Sequence, residues 1–189
     1  MSKRTQRPST SGTTPPDIQI LARTERFSGR LIRLVVDRLL LASGEEVSRE
    51  VVLHPPAVAI LPVLPDGRIL LVRQYRHPVR ATLWEIPAGL VERGESPPES
   101  ARRELREETG YEARDLVERF STFTSPGFTD ERITLYEARS LKRVSKPDPH
   151  EIDAIRAFSR PDLTEMIDAG EMTDAKTILA ILSTWQQDR

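Results

Sequence analysis

Three closely spaced glutamates, Glu104, Glu107 and Glu108, are the side chains best placed to do chemistry in this sequence. On an α-helix they fall within about 100° of one another and share one face. Like charges at these spacings oppose helix formation, and carboxylates near a helix C-terminus meet the unfavourable end of its dipole. One interpretation is that the carboxylates together bind a hard divalent cation, Mg²⁺ or Mn²⁺. The other is a solvated acidic face that neighbouring arginines neutralise.

The segment that carries these glutamates has the start and stop signals of a helix. Ser96 followed by Glu99 fits a capping box, in which the two residues satisfy each other's free backbone groups. Pro97 takes the first helical position, where proline is tolerated, and Gly110 is typical of a helix end. The sequence therefore predicts a helix from Ser96 to Gly110.

A longer pattern surrounds this helix. Gly89 is followed after five residues by Glu95, and after seven more by the run from Arg103 to Tyr111, which reads RELREETGY. The pattern resembles the signature of the Nudix hydrolases, G-x5-E-x7-R-E-U-x-E-E-x-G-U with U apolar, in all seven fixed identities. This resemblance implies metal-dependent hydrolysis of a nucleoside diphosphate linked to another group. Mg²⁺ is the expected cofactor, with Mn²⁺ as a substitute.

The resemblance also assigns roles within the pattern. Glu104 and Glu108 become the principal metal ligands, Glu107 assists them, and the backbone carbonyl of Ala88 completes the set. Glu107 and Glu108 are accordingly expected to take part in catalysis. Two-metal chemistry of this kind neutralises phosphate charge and activates a water molecule.

Two further positions of the pattern have structural explanations. Gly89 lets the backbone bend close to a metal or a phosphate. Arg103 and Glu95 are expected to pair and to fix the preceding loop to the helix.

The loop Ser125-Pro126-Gly127 narrows the substrate. Pro126 lies sixteen residues after Gly110, and this resembles the marker of the ADP-ribose pyrophosphatase subfamily, although Pro-Gly is also a common loop pair. Three more segments are similar to bacterial ADP-ribose pyrophosphatases: 49–52, 73–77 and 84–89. The implied reaction converts ADP-ribose and water to AMP and ribose 5-phosphate.

The same resemblance names residues that bind substrate. Arg49 and Arg76 are expected to contact the diphosphate or the ribose, since arginine offers forked donors to phosphate oxygens. Phe27 matches a position where an aromatic ring stacks on adenine, with a core position as the alternative. Glu131 is expected to bind an additional metal or a ribose hydroxyl, and Pro126 to shape the substrate loop.

Hydrolysis also needs a carboxylate outside the metal cluster to orient the attacking water. The resemblance places it on the proline-rich segment 147–153. Glu151 is the best positional match and Asp153 is the fallback. A loop glutamate without a special role is the alternative for Glu151.

Residue patterns and the resemblance together predict an α+β fold, an αβα sandwich with a mixed central sheet. Residues 1–17 are rich in Ser, Thr and Pro and are expected to be disordered. Residues 18–53 are expected to form a small antiparallel sheet that mediates a homodimer, with Arg49 and Phe27 acting in the partner's site. Residues 54–189 form the expected catalytic domain. Within it, Ala57–Leu64 and Ile69–Tyr75 are expected to pair as a hairpin.

Composition excludes several other classes. The chain has 28 basic and 29 acidic residues and a net charge of −1, which disfavours a nucleic-acid partner. It has no cysteine, so disulfides and thiolate metal sites are excluded. The apolar runs are far shorter than the ~20 residues of a membrane span, and a cytoplasmic location is expected. Two alternatives stay open: hydrolysis of another sugar nucleotide such as GDP-mannose or ADP-glucose, and a non-catalytic ADP-ribose-binding module.

Overall fold

The computed structural model describes residues 17–147 and 152–185. The chain divides into two compact units between Leu53 and His54. The tail expected to be disordered lies, apart from Asp17, outside the described residues. Among the described helices, none has the length and apolar character needed to cross a membrane.

The first unit contains a three-stranded antiparallel meander. Its strands are β1 (Gln19–Ser28), β2 (Arg33–Leu40) and β3 (Glu46–Leu53), paired in that order. Arg23 on β1 donates two hydrogen bonds of 2.6 Å to the carboxylate of Asp37 on β2. These bonds hold the pKa of Asp37 below its ordinary value, despite burial. The small N-terminal antiparallel sheet is thus present as predicted.

Within residues 54–147 and 152–185, the second unit contains two sheets and three helices. In chain order its elements are β4 (Ala57–Pro62), β5 (Ile69–Arg76), β6 (Ala81–Glu85), β7 (Ala88–Leu90), α1 (Pro97–Thr109), β8 (Tyr111–Phe123), β9 (Arg132–Arg143), β10 (Ala154–Phe158), α2 (Arg160–Asp168) and α3 (Ala175–Trp185). One sheet is mixed, in the order β7-β4-β9-β8, with β4 and β9 parallel. The other is antiparallel, in the order β10-β5-β6.

Strand β4 explains how these elements form layers. All six of its residues are buried, because both faces of the strand are covered. Val58 and Ile60 pack in a cluster with Leu105 of α1. The alternate residues of β4 pack in a second cluster, which includes Leu163 of α2 and Ile181 of α3. Helices therefore lie on both sides of the mixed sheet, which confirms the predicted αβα sandwich.

The predicted hairpin between residues 57–64 and 69–75 is wrong. Strands β4 and β5 belong to different sheets, and only an isolated bridge between Val63 and Ile69 joins their ends. The hydrogen-bonding edges of β4 are taken by β7 and β9, which are distant in sequence. Strand β4 and the first half of β5, residues 69–72, are apolar and uniformly buried, so local patterning could not reveal their partners.

Helix α1 begins and ends at the predicted residues. The N–H of Ser96 donates to the side chain of Glu99 at 2.8 Å, as a capping box requires. Gly110 ends the helix in the left-handed region, with φ +75°, and its N–H donates to the carbonyl of Arg106 at 2.8 Å. These local signals fix the length of the helix that carries the three glutamates.

Candidate active site

Glu104 lies against the backbone of the strand that precedes α1. A Cβ atom built on Gly89 would come within 2.1 Å of Oε1 of Glu104. Only glycine leaves room for the carboxylate there. The side chain of Glu104 is just 13% exposed, so the helix directs this charge into the site rather than into solvent.

Glu108 lies one turn further along α1 and is buried. It is 8% exposed, and its Oε2 accepts a hydrogen bond of 3.2 Å from the N–H of Ala88. Burial, followed by the negative charge of Glu104, raises the pKa of Glu108 to about 8. Two carboxylates held in this way repel each other, which a bound cation would relieve.

The carbonyl of Ala88 adds a third oxygen. In the antiparallel pairing of β4 with β7, the N–H of Ile60 donates to the carbonyl of Pro87 at 2.8 Å, and that of Val91 to Pro56 at 2.9 Å. Hydrogen-bonded and non-hydrogen-bonded pairs alternate in such a ladder, so the N–H and C=O of Ala88 both point away from β4. The N–H reaches Glu108, and the carbonyl therefore faces the side where the glutamates lie.

These three oxygen donors fit a hard divalent cation. Carboxylate and carbonyl oxygens are the ligands that Mg²⁺ and Mn²⁺ prefer. The Gly89 cradle and the raised pKa of Glu108 show that the fold places negative charge here at a cost. Within residues 17–147 and 152–185, no three acidic, histidine or cysteine side chains converge on one point. The candidate set combines two carboxylates with a backbone carbonyl.

Glu107 is oriented differently from the other two glutamates. Its side chain is 46% exposed, and its Oε2 accepts a hydrogen bond of 3.1 Å from Nη1 of Arg103. The same nitrogen of Arg103 donates to Oε1 of Glu104 at 2.7 Å. The guanidinium therefore lies between Glu104 and Glu107, and a metal that used both carboxylates would have to displace it.

The predicted pair of Arg103 and Glu95 is present. Nε of Arg103 donates to Oε1 of Glu95 at 3.0 Å, and Nη2 donates to the carbonyl of Leu90 at 3.0 Å. The bond from Arg103, with one from Ser100, lowers the pKa of Glu95 to about 2. Arg103 thus ties the loop and the edge strand β7 to α1.

Arg76 ends β5 beside this acidic site. Its Nε and Nη2 each donate to the buried carboxylate of Glu85 at 2.8 Å, and Lys176 of α3 contacts the same carboxylate. Burial raises the pKa of Glu85, but Arg76 and Lys176 outweigh it, so that pKa lies below its ordinary value. The charges of Arg76 and Lys176 also pull the pKa of Glu108 part of the way down, because both cations lie near it.

Sequence analysis missed Glu85 and Lys176. The available signal was a charged residue between apolar neighbours, Trp84 and Ile86, which is typical of a buried and paired carboxylate. Its partner Lys176 lies 91 residues further along the chain, and no local pattern connects the two.

The substrate-loop residues lie after β8. The N–H of Phe128 donates to the carbonyl of Ser125 at 3.1 Å, which closes a turn with Pro126 exposed. Glu131 accepts a hydrogen bond of 2.6 Å from Thr124, and its Oε1 lies 3.7 Å from Nδ1 of His54. Glu131 therefore contacts Thr124 at the start of the loop and His54.

The remaining expected site residues are distributed over other segments. Phe27 and Arg49 belong to the first unit, where both are exposed and where Nη1 of Arg49 donates to the carbonyl of Ser48 at 3.0 Å. Glu151 lies outside the described residues. Asp153 is exposed, and its N–H donates to the carbonyl of Arg73 at 2.9 Å.

Comparison with known proteins identifies the family. The model of the NUDIX domain matches residues 53–180. This chain belongs to the NUDIX family. It is 40% identical over 164 residues to a protein of Bacillus subtilis named ADP-ribose pyrophosphatase. The match covers 85% of this chain and 89% of that relative. It is 39% identical over 158 residues to the methanol dehydrogenase activator of Bacillus methanolicus, and this match covers 82% of this chain and 85% of the activator.

A solved structure supports the NUDIX fold. The crystal structure of an ADP compounds hydrolase superposes with a TM-score of 0.81 over 94% of this chain and 98% of the other. The sequence identity is 22%, so the likeness concerns the fold. The NUDIX signature and the glutamate cradle on α1 together make this chain a member of a hydrolase family.

Proposed function

We propose that this NUDIX protein hydrolyses the diphosphate bond of ADP-ribose to AMP and ribose 5-phosphate, with Mg²⁺ as cofactor and Mn²⁺ as a substitute. The observation that carries the proposal is the placement of Glu104 and buried Glu108 beside the outward carbonyl of Ala88. The B. subtilis relative, whose name states this activity, supports the choice of substrate.

The described residues have definite tasks in this reaction. Glu104, Glu108 and the carbonyl of Ala88 would hold the metal, with Glu107 joining them once Arg103 releases it. The bound metal would neutralise phosphate charge and lower the pKa of a water molecule. Arg76 would donate to a phosphate oxygen, because its guanidinium lies close to Glu108 and keeps one nitrogen free of Glu85.

The attacking water also needs an acceptor. Glu151 is proposed to orient it, with Asp153 as the fallback. Pro126 and Glu131 are proposed to bind the sugar side of the substrate from the loop after β8. The exposed position of Pro126 and the partly exposed side chain of Glu131 leave both accessible to a ligand.

A cytoplasmic homodimer is part of the proposal, with Arg49 and Phe27 serving the partner's site. Among its described residues, the first unit exposes four large apolar side chains: Ile18 at 44%, Ile20 at 57%, Phe27 at 55% and Leu31 at 49%. Apolar side chains exposed together are a common feature of interaction surfaces. Dilution to a verified monomer should raise KM, and unchanged kinetics in that monomer would exclude the shared site.

Product analysis tests the proposed substrate. The purified protein would be incubated with Mg²⁺ and ADP-ribose, ADP-glucose, GDP-mannose, NADH, a diadenosine polyphosphate or 8-oxo-dGTP. We expect AMP from ADP-ribose with the highest kcat/KM. A higher kcat/KM for another sugar nucleotide would agree with the proposed metal site and contradict ADP-ribose as the preferred substrate. Binding of ADP-ribose without cleavage would instead make the protein a binding module.

A further inference from the structure

The carboxylate of Glu85 is held by two cations from different parts of the fold. Glu85 is 1% exposed at the end of β6. Arg76, on the neighbouring strand β5, donates two hydrogen bonds of 2.8 Å to it. Lys176, in the first turn of α3, contacts the same carboxylate with its ammonium group. A buried carboxylate held by only one of these cations would be less completely compensated.

The start of α3 is fastened at the same place. Asp174 accepts a hydrogen bond of 3.1 Å from the N–H of Thr177, as a helix cap does, and lies 3.0 Å from the ammonium of Lys176. The hydroxyl oxygen of Thr177 accepts a hydrogen bond of 2.9 Å from the N–H of Ile86. The first turn of α3 therefore holds residues 85 and 86, just before the proposed metal-binding carbonyl of Ala88.

The guanidinium of Arg76 is only partly used by Glu85. Nε and Nη2 face the carboxylate, and within the described residues Nη1 makes no hydrogen bond. The side chain of Arg76 is 38% exposed, in contrast to 2% for that of Glu85. A planar guanidinium fixed along one edge presents its remaining donors in a set direction.

We propose that Lys176 is a positioning residue of the active site, which acts through Glu85 to hold the Arg76 guanidinium with Nη1 directed at the substrate diphosphate. This proposal rests on the proposed function, since it assigns Arg76 to the diphosphate. With Lys176 in place, Glu85 has a second cation and a fixed orientation. Without it, Arg76 is the one cation that still contacts the carboxylate among the described residues, and the orientation of the guanidinium is less firmly fixed.

A double-mutant cycle tests this coupling. The variants are Lys176→Met, Arg76→Met and the double variant, with Lys142→Met as a control because Lys142 is exposed on β9. We expect Lys176→Met to lower kcat/KM by about ten-fold, as loss of a supporting partner commonly does, and Arg76→Met to lower it further. The double variant should be no slower than Arg76→Met alone. Lys142→Met should leave kcat/KM unchanged.

The cycle separates positioning from a merely structural role. If Lys176→Met slows the Arg76→Met protein by the same factor as the unmodified protein, Lys176 does not act through Arg76 and the proposal is wrong. Lys176→Arg should restore most of the loss, because it keeps a cation beside Glu85. Should Lys176→Met fail to fold in a melting experiment, Lys176→Gln, which keeps a donor but loses the charge, takes its place in the cycle.

Failure of the proposed function gives a different result. If the unmodified protein cleaves another diphosphate but not ADP-ribose, the substrate assignment fails and the cycle is run on the substrate that is cleaved. Additivity on that substrate would then overturn the role of Lys176. If the unmodified protein cleaves no diphosphate, both proposals fail together.

Discussion

Glu104 and Gly89 are in such close contact that a Cβ atom on the glycine would lie 2.1 Å from Oε1 of the glutamate. The glycine of the family signature is therefore fixed by a carboxylate that lies fifteen residues further along the chain. Backbone conformation does not explain this glycine, since it is not among the residues with positive φ. The requirement is space for a charged ligand.

Replacement of Gly89 by alanine should move Glu104 out of position. We expect the fold to persist and kcat/KM to fall by about 100-fold, since a displacement of about 1 Å at a reacting group commonly has that effect. The affinity for Mg²⁺, measured by titration calorimetry, should fall as well. Gly67→Asn is a suitable control, because Gly67 lies in a distant turn with φ +82° and no atom near its Cβ position. Unchanged metal affinity in Gly89→Ala would contradict the cradle.

Replacement of Glu108 by glutamine should remove a carboxyl group that can ionise and bind the metal, while keeping an acceptor for the N–H of Ala88. We expect kcat/KM to fall by more than about 100-fold. Loss of a residue that merely supports a metal ligand costs up to about 100-fold, and loss of a ligand itself should cost more. Thermal unfolding without metal should occur at the same temperature or higher, because a carboxylate that resists ionisation has been removed. Glu112→Gln, at an exposed position on β8, is the matched control. A Glu108→Gln protein with full activity would remove this residue from the site.

The raised pKa of Glu108 also predicts how the free energy of unfolding depends on pH. Its pKa is raised from 4.5 to about 8 in the folded chain. Between these values the folded protein keeps a proton that the unfolded chain has lost, so the metal-free protein should lose stability as pH rises through this window. Since a metal favours the ionised carboxylate, stabilisation by Mg²⁺ should grow over the same window.

Melting temperatures in EDTA and in Mg²⁺, from about pH 6 to about pH 9, measure this dependence. The Glu108→Gln protein should show a weaker pH dependence of the difference, because glutamine does not titrate. The prediction is contradicted if the melting temperature in Mg²⁺ minus that in EDTA shrinks as pH rises. It is also contradicted if this difference depends on pH in the same way in the unmodified and the Glu108→Gln proteins, because another group would then control metal binding.

The identity of the water-orienting carboxylate can be decided by comparing Glu151→Gln with Asp153→Asn. If Glu151 orients the water, its replacement should lower kcat by about 100-fold or more with little change in KM, as expected for general-base catalysis. Asp153→Asn should then be close to the unmodified protein. The opposite ranking would assign the role to Asp153, and two near-normal variants would place the acceptor elsewhere.

Local signals explain which parts of this structure the sequence could predict. Helix α1 was predicted to the residue because Ser96, Glu99 and Gly110 determine its ends through contacts within a few residues. The pair of Arg103 with Glu95 was accessible for a similar reason, since both lie in one signature. The layered fold was accessible from the order of the predicted elements, with helices set between and after the strands, and from the family resemblance.

Long-range pairing explains what the sequence could not predict. The partners of β4 depend on hydrogen bonding to β9, which lies more than seventy residues away, whereas the turn after β4 favoured its neighbour β5. The Glu85–Lys176 contact has the same character, because it joins β6 to α3 across 91 residues. The residues around Lys176 do not indicate that its ammonium group contacts a buried carboxylate.

The edge strand β7 has one more consequence. An unpaired strand edge offers free backbone groups to which a strand of another molecule can bind, and this is a common route to aggregation. In β7 the outward N–H of Ala88 is bonded to Glu108, and the carbonyl of Leu90 is bonded to Arg103. Two side chains of the NUDIX signature thus occupy backbone groups at the edge of the sheet as well as contributing to the candidate site, and they protect this edge against the addition of a strand.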